Sequence, residues 1–199
     1  MLEQQVKAGQ ASPGAGSQPS DEELETRWKA GSAPAFAMLF ERYHTRIFAF
    51  TLRLTRDRHM AEDLAQRAFL NLYKKPPPGT GRASFKSLLF TVARNESLNE
   101  IKRRGRRQEA SLEALGEGQA RAPGASPGER VDQQEQQARL SAALGELPEE
   151  EREVVLLREA EGLTFREICE VTGLSRDAVR WRLAKGMERL RTRLGGGAA

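Results

Sequence analysis

The chain has little that would tie it to a membrane or to an oxidising compartment. It contains one cysteine among 199 residues, so no disulfide can form within the chain, and a reducing compartment is expected. No apolar run approaches the length of a membrane span, and the first residues lack the apolar core of a signal peptide. These absences predict a soluble, cytoplasmic protein.

Signatures of catalysis are also missing. There is no Gly-rich phosphate loop, and the two histidines, His44 and His59, stand without the spacing of metal ligands. Cys169 falls on the packed face of a short helical pattern, where a small buried residue is expected rather than a nucleophile. The acidic run 149–151 is expected to begin a helix rather than to bind a metal. The sequence therefore predicts a protein that is not an enzyme and that holds no metal and no cofactor.

Charge is distributed unevenly, although the formal net charge is only +4. Residues 94–107 contain six basic and two acidic side chains, and residues 176–193 contain seven basic and two acidic ones. Between them, residues 109–135 contain six acidic and two basic side chains. Two basic blocks separated by an acidic link indicate two surfaces that face a polyanion.

Apolar residues recur at helical spacing, and no period-two strand pattern is present. The helical signals fall into two stretches, residues 21–107 and 132–194. They are separated by a Gly- and Pro-containing segment, 108–131, which is expected to be a flexible linker. Residues 1–20 and 195–199 are expected to be disordered tails. The predicted fold class is all-α, with two small helical domains joined by the linker.

Four helices are predicted in the first domain. One begins at Ser20 or Asp21, a second covers about 34–55, and a third covers about 59–75 and is stopped by the run 76–78 of three prolines. A fourth begins near Ser84 and continues into the first basic block.

The segment 163–182 has the pattern of a helix-turn-helix. Thr164 can cap a short first helix, Gly173 tolerates the positive φ of a tight turn, and Ser175 can cap the second helix. The second helix combines an apolar stripe with a face suited to base edges and phosphates in a major groove. That face consists of Ser175, Arg176, Asp177, Arg180, Trp181, Arg182 and Lys185. The alternative is an amphipathic helix whose basic face is only solvated.

Two polar faces in the first domain can each be read either as a binding surface or as an ordinary solvated helix face. The third helix places Asp63, Gln66 and Asn71 beside Phe69 and Tyr73, which is typical of an interface but also of a helix rim around a core. The fourth helix carries a second set of side chains. They can clamp phosphates, and they can stack on unpaired bases or form hydrogen bonds with them. This set is Phe85, Arg94, Asn95, Asn99, Lys102 and Arg103. The alternative is a solvated basic helix end, favoured by the helix dipole.

Four stretches of the sequence resemble those of a known protein family. They are "FERYHTRIFAF", "AEDLAQRAFLNLYKK", "GRASFKSLLFTVARNESLNEIKRR" and "LPEEEREVVLLREAEGLTFREICEVTGLSRDAVRWRLAKGMERLR", in this order. The chain resembles bacterial RNA polymerase sigma factors of the sigma-70 family, in the two-domain extracytoplasmic-function group. The resemblance spans about residues 35–107 and 140–194. It implies that the first domain binds the polymerase clamp and opens the −10 element, and that the second reads the −35 element.

The resemblance also implies roles for individual residues. Asp63, Gln66 and Phe69, with Tyr73 beside them, match the core-binding helix. Arg94, Asn95, Asn99 and Arg103 match the −10-reading helix, and residues 175–182 match the −35-reading helix. The implied partners are core RNA polymerase, promoter DNA and, commonly in this family, an anti-sigma factor.

Three positions depart from the family pattern. Arg67 stands where an acid is usual, Leu88 replaces a common tryptophan, and Trp181 replaces a small polar residue. A different function also fits a C-terminal helix-turn-helix, namely a transcriptional regulator that acts without polymerase and binds duplex DNA by itself.

Overall fold

The computed structural model describes residues 18–76, 83–114 and 131–195, with side chains described except at 108–114 and 131–134. Most of the predicted tails (1–20 and 195–199), of the linker and of the proline run lies outside these residues. The described part contains eight α-helices and no strand. The predicted all-α class with two helical domains is confirmed.

The first helical unit consists of α1 (Asp21–Lys29), α2 (Ala33–Thr55), α3 (Arg58–Lys74) and α4 (Phe85–Ala114). The second consists of α5 (Val131–Gly145), α6 (Glu149–Val155), α7 (Phe165–Thr172) and α8 (Arg176–Gly195). A π-helical segment, Leu156–Ala160, continues α6. Helix α4 runs to Ala114, so residues 108–114 are helical where the sequence predicts the start of the linker.

Side chains at the helix starts explain where the helices of the first unit begin. Ser20 and Glu23 form a capping box at α1, and Ser32 accepts a hydrogen bond from the Ala35 amide at the start of α2. Between α2 and α3 the chain turns within two residues. Arg56 ends α2 in the left-handed region (φ 57°), and Asp57 then caps α3 by accepting from the Met60 amide at 3.1 Å.

Aromatic side chains fill the core of the first unit. Trp28 of α1 lies edge-on to Phe85 of α4, with ring centroids 5.6 Å apart, and Phe36 of α2 contacts both rings. Thr51 joins α2 to α3 because its buried hydroxyl donates to the carbonyl of Ala61 at 3.1 Å. The fourth helix is therefore fixed against the first three through its N-terminal turns.

The second unit is built on a close approach of α6 and α8. A Cβ atom added to Gly186 of α8 would lie 2.7 Å from Cγ2 of Val155. A side chain at position 186 would therefore require the Val155 side chain or one of the two helices to shift. Apolar residues of α6, α7 and α8 complete this core, among them Val154, Ile168, Val171, Val179 and Leu190.

The two units pack against each other. Helix α4 lies against α7, and α2 lies against α5 and α6. The buried apolar residues of both units form one continuous cluster. We call this contact between α1–α4 and α5–α8 the seam.

The Asp57 cap gives a test of the link between α3 and α4. Its second carboxylate oxygen accepts from Arg104 of α4 at 2.9 Å, and the Met60 and Arg104 hydrogen bonds lower the pKa of Asp57. We expect Asp57→Ala to cost about 1 kcal/mol of unfolding free energy, whereas Asp57→Asn keeps the cap and costs less.

Urea denaturation at several pH values measures both effects. Because the pKa of Asp57 is lowered in the fold, the advantage of aspartate over asparagine is present at neutral pH. It is lost as the pH falls through the folded pKa. Glu62→Ala removes an exposed ion pair with Arg58 on the same helix and serves as the near-neutral control. A cost of Asp57→Ala no larger than that of the control contradicts the prediction.

Candidate nucleic-acid interface

Helix α8 presents the face predicted from the helix-turn-helix pattern. Thr164 and Glu167 form a capping box at α7, Gly173 ends α7 with φ 72°, and the Ala178 amide donates to the Ser175 hydroxyl at 3.2 Å. The residues on the outer face at the start of α8 are exposed. Trp181 is 60% exposed, more than any other large apolar side chain among the described residues. These exposed residues are Ser175, Arg176, Asp177, Arg180 and Trp181.

A stacked arrangement beside this face is not evident from the sequence. The guanidinium groups of Arg158 and Arg180 lie over the Phe165 ring, 5.0 Å and 5.8 Å from its centroid, respectively. Arg166 and Arg176 line the same shallow cleft. Phe165 therefore orients Arg180 at the front of the helix-turn-helix. Arg158 adds positive charge that the sequence pattern did not indicate, whereas Arg166 is paired with Glu170 at 3.0 Å.

The two remaining members of the predicted set are held by carboxylates. Arg182 donates to Glu150 of α6 at 2.7 Å, and its side chain is only 20% exposed. Lys185 contacts Glu188 on its own helix at 2.9 Å and remains exposed. The structure thus does not bring Arg182 onto the open face with Arg176 and Arg180.

The outer face of α4 brings together most of the predicted residues there. Asn95, Asn99, Lys102 and Arg103 are all exposed and lie within about two turns of each other. Arg103 also contacts Glu100 at 3.2 Å. Arg94 is different, because its side chain is 18% exposed and its guanidinium is bound by Glu153 of α6, with Nη2 3.2 Å from Oε2.

Phe85 does not lie on this face. Its side chain is fully buried against Trp28, Phe36 and Tyr43, and Phe90 is fully buried against Phe50. The prediction that Phe85 stacks on bases is wrong, since the start of α4 is the part of the helix that the aromatic core covers. Leu88 is partly buried and packs on the same core.

Helix α3 exposes the third predicted set around a small apolar cleft. Asp63, Gln66 and Tyr73 are exposed, while Phe69 is buried beneath them. Phe36, Phe40 and Leu70 also line the cleft. Arg67 contacts Asp63 at 2.6 Å, so the basic residue that departs from the family pattern neutralises the acid beside it.

Neither a metal site nor a membrane span is found in the described part of the chain. Within residues 18–76, 83–114 and 131–195, no group of three or more His, Cys, Asp or Glu side chains could hold a metal ion. In the same ranges no helix combines the length and apolarity that crossing a membrane requires.

Comparison with known proteins decides the family. A model of sigma-70 region 2 matches residues 39–107, and a model of sigma-70 region 4 matches residues 137–190. The ECF RNA polymerase sigma factor SigE of Mycolicibacterium smegmatis is 32% identical over 184 residues, covering 87% of this chain and 69% of that one. The RNA polymerase sigma factor CarQ of Myxococcus xanthus is 33% identical over 172 residues, covering 85% and 94%. The chain belongs to the extracytoplasmic-function sigma factors of the sigma-70 family.

Solved sigma factors share the fold. RpoE of Bartonella quintana, in complex with the anti-sigma factor NepR, has a TM-score of 0.65 at 23% identity and covers 81% of this chain and 98% of its own. CnrH in complex with the cytosolic domain of CnrY has a TM-score of 0.66 at 20% identity, covering 89% and 99%. As a sigma factor, the protein directs core RNA polymerase to promoters and assists promoter melting. The alternative of a regulator that acts without polymerase is not favoured, and sigma factors are non-catalytic regulatory subunits.

Burial of Phe85 predicts a loss of stability on truncation. We expect Phe85→Ala to lower the unfolding free energy by about 3–5 kcal/mol, since it opens a cavity among three aromatic rings. Denaturant titration followed by circular dichroism measures this change. Asn95→Ala, on the exposed face of the same helix, is the control and should be within about 0.5 kcal/mol of the wild type. If Phe85→Ala is as stable as the wild type, the Phe85 ring must lie at the surface and the prediction is wrong.

Proposed function

We propose that the two helical units divide promoter recognition between them. Residues 21–107 bind core polymerase and the −10 element, and residues 132–194 bind the −35 element. Residues 108–131 connect the two units, and 1–20 and 195–199 are tails. The observation that carries this proposal is the presence of three separate exposed polar faces, on α3, α4 and α8, each at the position that the family resemblance implies.

Helix α8 reads the −35 element with its N-terminal turns. The N-terminal part of a recognition helix reaches base edges, and arginine can make a bidentate contact to guanine there. Arg176 and Arg180 have this position, and stacking on Phe165 favours one orientation of the Arg180 guanidinium. Trp181, next to Arg180, contributes apolar contact area. Lys185 and, further along the helix, Arg191 bind phosphates. Arg189 and Arg193 are instead paired with Glu151 and Glu146 of the same unit.

Helix α4 binds the −10 element as it opens. The side-chain amides of Asn95 and Asn99 can donate to and accept from the edges of unpaired bases, and Lys102 and Arg103 can bind the neighbouring phosphates. Arg94 belongs to this set by position, although Glu153 binds its guanidinium in this structure.

The cleft on α3 is the contact for core polymerase. It combines a buried aromatic floor, Phe69, with the exposed side chains of Gln66 and Tyr73. An apolar pocket with a polar rim is typical of binding hot spots. Asp63 contributes less here because Arg67 already neutralises it.

Location and regulation follow from the family. A protein that works on polymerase and the chromosome acts in the cytoplasm. Two solved sigma factors of the same fold are bound to an anti-sigma factor or to the cytosolic domain of a partner, which supports an anti-sigma factor as a partner here as well.

Core binding tests the assignment of α3. We expect Gln66→Ala and Tyr73→Ala each to weaken binding to core polymerase by about tenfold, and Asp63→Ala to weaken it less. Fluorescence anisotropy with purified core polymerase gives the affinities. Gln137→Ala makes the same substitution at an exposed site on α5 and is the control. Full affinity in a folded Gln66→Ala/Tyr73→Ala variant would remove α3 from the interface.

Promoter selection tests the assignment of α8. We expect Arg180→Ala to cost about 1–3 kcal/mol and to relax the preference at one −35 position. Arg191→Ala should weaken all promoters alike and lower the salt slope by about one unit for each phosphate that is no longer neutralised. The measurement is transcription by the reconstituted holoenzyme from a library randomised across the −35 region, at two salt concentrations. A uniform decrease with Arg180→Ala, with the selected sequence unchanged, contradicts the reading role.

A further inference from the structure

Trp181 lies at the centre of the outer face of α8. The buried residues of this helix are Val179, Gly186 and Leu190. Leu190 follows Trp181 by nine residues, about two and a half turns at 3.6 residues per turn, so the two side chains project from opposite sides of the helix. The indole therefore projects directly away from the body of its unit, which agrees with its 60% exposure.

The arginines on either side of Trp181 turn away from it. The Arg180 guanidinium lies over the Phe165 ring of α7, and the Arg182 guanidinium contacts Glu150 of α6. Both cations are held at the flanks of the helix by residues of other helices. The indole therefore lies uncovered between them.

The residues one turn before and after Trp181 also leave the indole open. Ala178 and Ala184 are too small to cover it. The Lys185 ammonium is held by Glu188, with 2.9 Å between Nζ and Oε2. A large aromatic surface is thus surrounded by small and charged side chains rather than by other apolar groups.

Other large apolar side chains that are exposed in the described ranges lie in clusters. Phe40, Leu70 and Tyr73 lie together on the cleft of α3, and Leu140 and Leu194 line one cleft between α5 and α8. Such clusters are typical of surfaces that bind another protein, because the core of a protein interface is depleted in charge. A single indole among charged neighbours instead fits a charged partner that offers isolated apolar groups.

The major groove of DNA offers one apolar group to a recognition helix. Thymine carries a C5-methyl group there, whereas the edges of the other three bases present hydrogen-bonding atoms. The indole Nε1–H is a donor only. Facing cytosine, the indole would cover the N4 amino group, which is also a donor, without giving it a partner. An indole at the front of α8 therefore favours thymine over cytosine for two reasons.

We propose that Trp181 makes this sigma factor read a thymine in the −35 element, through contact between the indole and the C5-methyl group. This role rests on the −35 function proposed for α8, and it adds the base and the chemical group that this side chain recognises. Arg180, held at the flank of the helix by Phe165, is the candidate for guanine. Neighbouring residues of α8 thus read chemically different bases.

Replacing thymine with uracil tests the methyl group alone. Uracil pairs with adenine as thymine does and keeps the O4 acceptor, but it has no C5-methyl group. Each −35 thymine, on either strand of a promoter duplex from the library selection, is replaced in turn by uracil. Competition with the unmodified duplex for the reconstituted holoenzyme gives relative affinities. We expect one replacement to weaken binding about fourfold, the effect of exposing one buried methyl-sized group.

Replacing the indole tests whether it makes this contact. In Trp181→Ser, the sensitive uracil duplex and the unmodified duplex should bind equally well, because the partner of the methyl group is gone. Trp181→Phe keeps an aromatic ring and should keep a preference for thymine. Combining a change in the protein with a change in the DNA isolates the coupling between the two groups. Since Trp181 is exposed, both variants should keep the fold, which circular dichroism checks.

Arg191→Ala is the matched control on the same helix. It removes a side chain for which phosphate binding is proposed, so it should lower the affinity for every duplex and leave the uracil penalty unchanged. 5-Methylcytosine provides the reverse change in the DNA. When it replaces a cytosine introduced at the sensitive position, it should restore part of the affinity of the chain with Trp181 and none of that of Trp181→Ser.

The outcomes separate this role of Trp181 from the proposed function. A uracil penalty of about fourfold that disappears in Trp181→Ser supports the thymine contact. A selected −35 region without thymine, the absence of any uracil penalty, or a penalty that is unchanged in Trp181→Ser overturns it. An equal loss of affinity for all duplexes in Trp181→Ser also overturns it and indicates contact with the DNA backbone. If holoenzyme binding is insensitive to every base of the −35 region, the −35 function of α8 fails, and the thymine contact fails with it.

Discussion

Pairing of two buried carboxylates with arginines of the opposite helical unit is the constraint on which the arrangement of the whole molecule depends. Glu153 and Glu161 would each be costly to bury alone, because an unpaired charge in the interior loses its hydration without compensation. Their partners come from α2 and α4, namely Arg46 for Glu161 and Arg94 for Glu153, so the second unit can bury these residues only while it contacts the first. The apolar cluster that continues across the seam adds attraction, but the ion pairs determine which faces meet.

Ion pairs within the molecule further limit the positive surface of a chain whose formal net charge is only +4. Several arginines are engaged internally, among them Arg94, Arg104 and Arg182, while others remain exposed on α4 and α8. Cations that are paired with carboxylates of the same molecule contribute little to the attraction of DNA at long range. The positive surface of the free protein is thus smaller than its sequence implies.

Local features of the fold could be predicted from the sequence, and long-range pairings could not. The cap at Thr164, the turn at Gly173 and the cap at Ser175 depend on residues close in the chain, and the structure has all three. Phe85 was misplaced because its burial depends on rings contributed by α1 and α2, as much as 57 residues away in the case of Trp28. Arg46 and Glu161 are separated by 115 residues, and nothing near either one indicates the other. The roles predicted for the exposed faces of α3, α4 and α8 remain predictions.

The glycine in the middle of α8 has a consequence for how the recognition helix is held. Glycine at position 186 costs the helix about 1 kcal/mol relative to alanine, yet alanine would meet the Val155 side chain. The helix therefore accepts a weaker backbone in order to lie closer to α6. Because the two helices lie so close, rotation of α8 about its own axis is restricted. The direction in which Arg180 and Trp181 point is therefore set by the contact of Gly186 with α6, although glycine has no side chain.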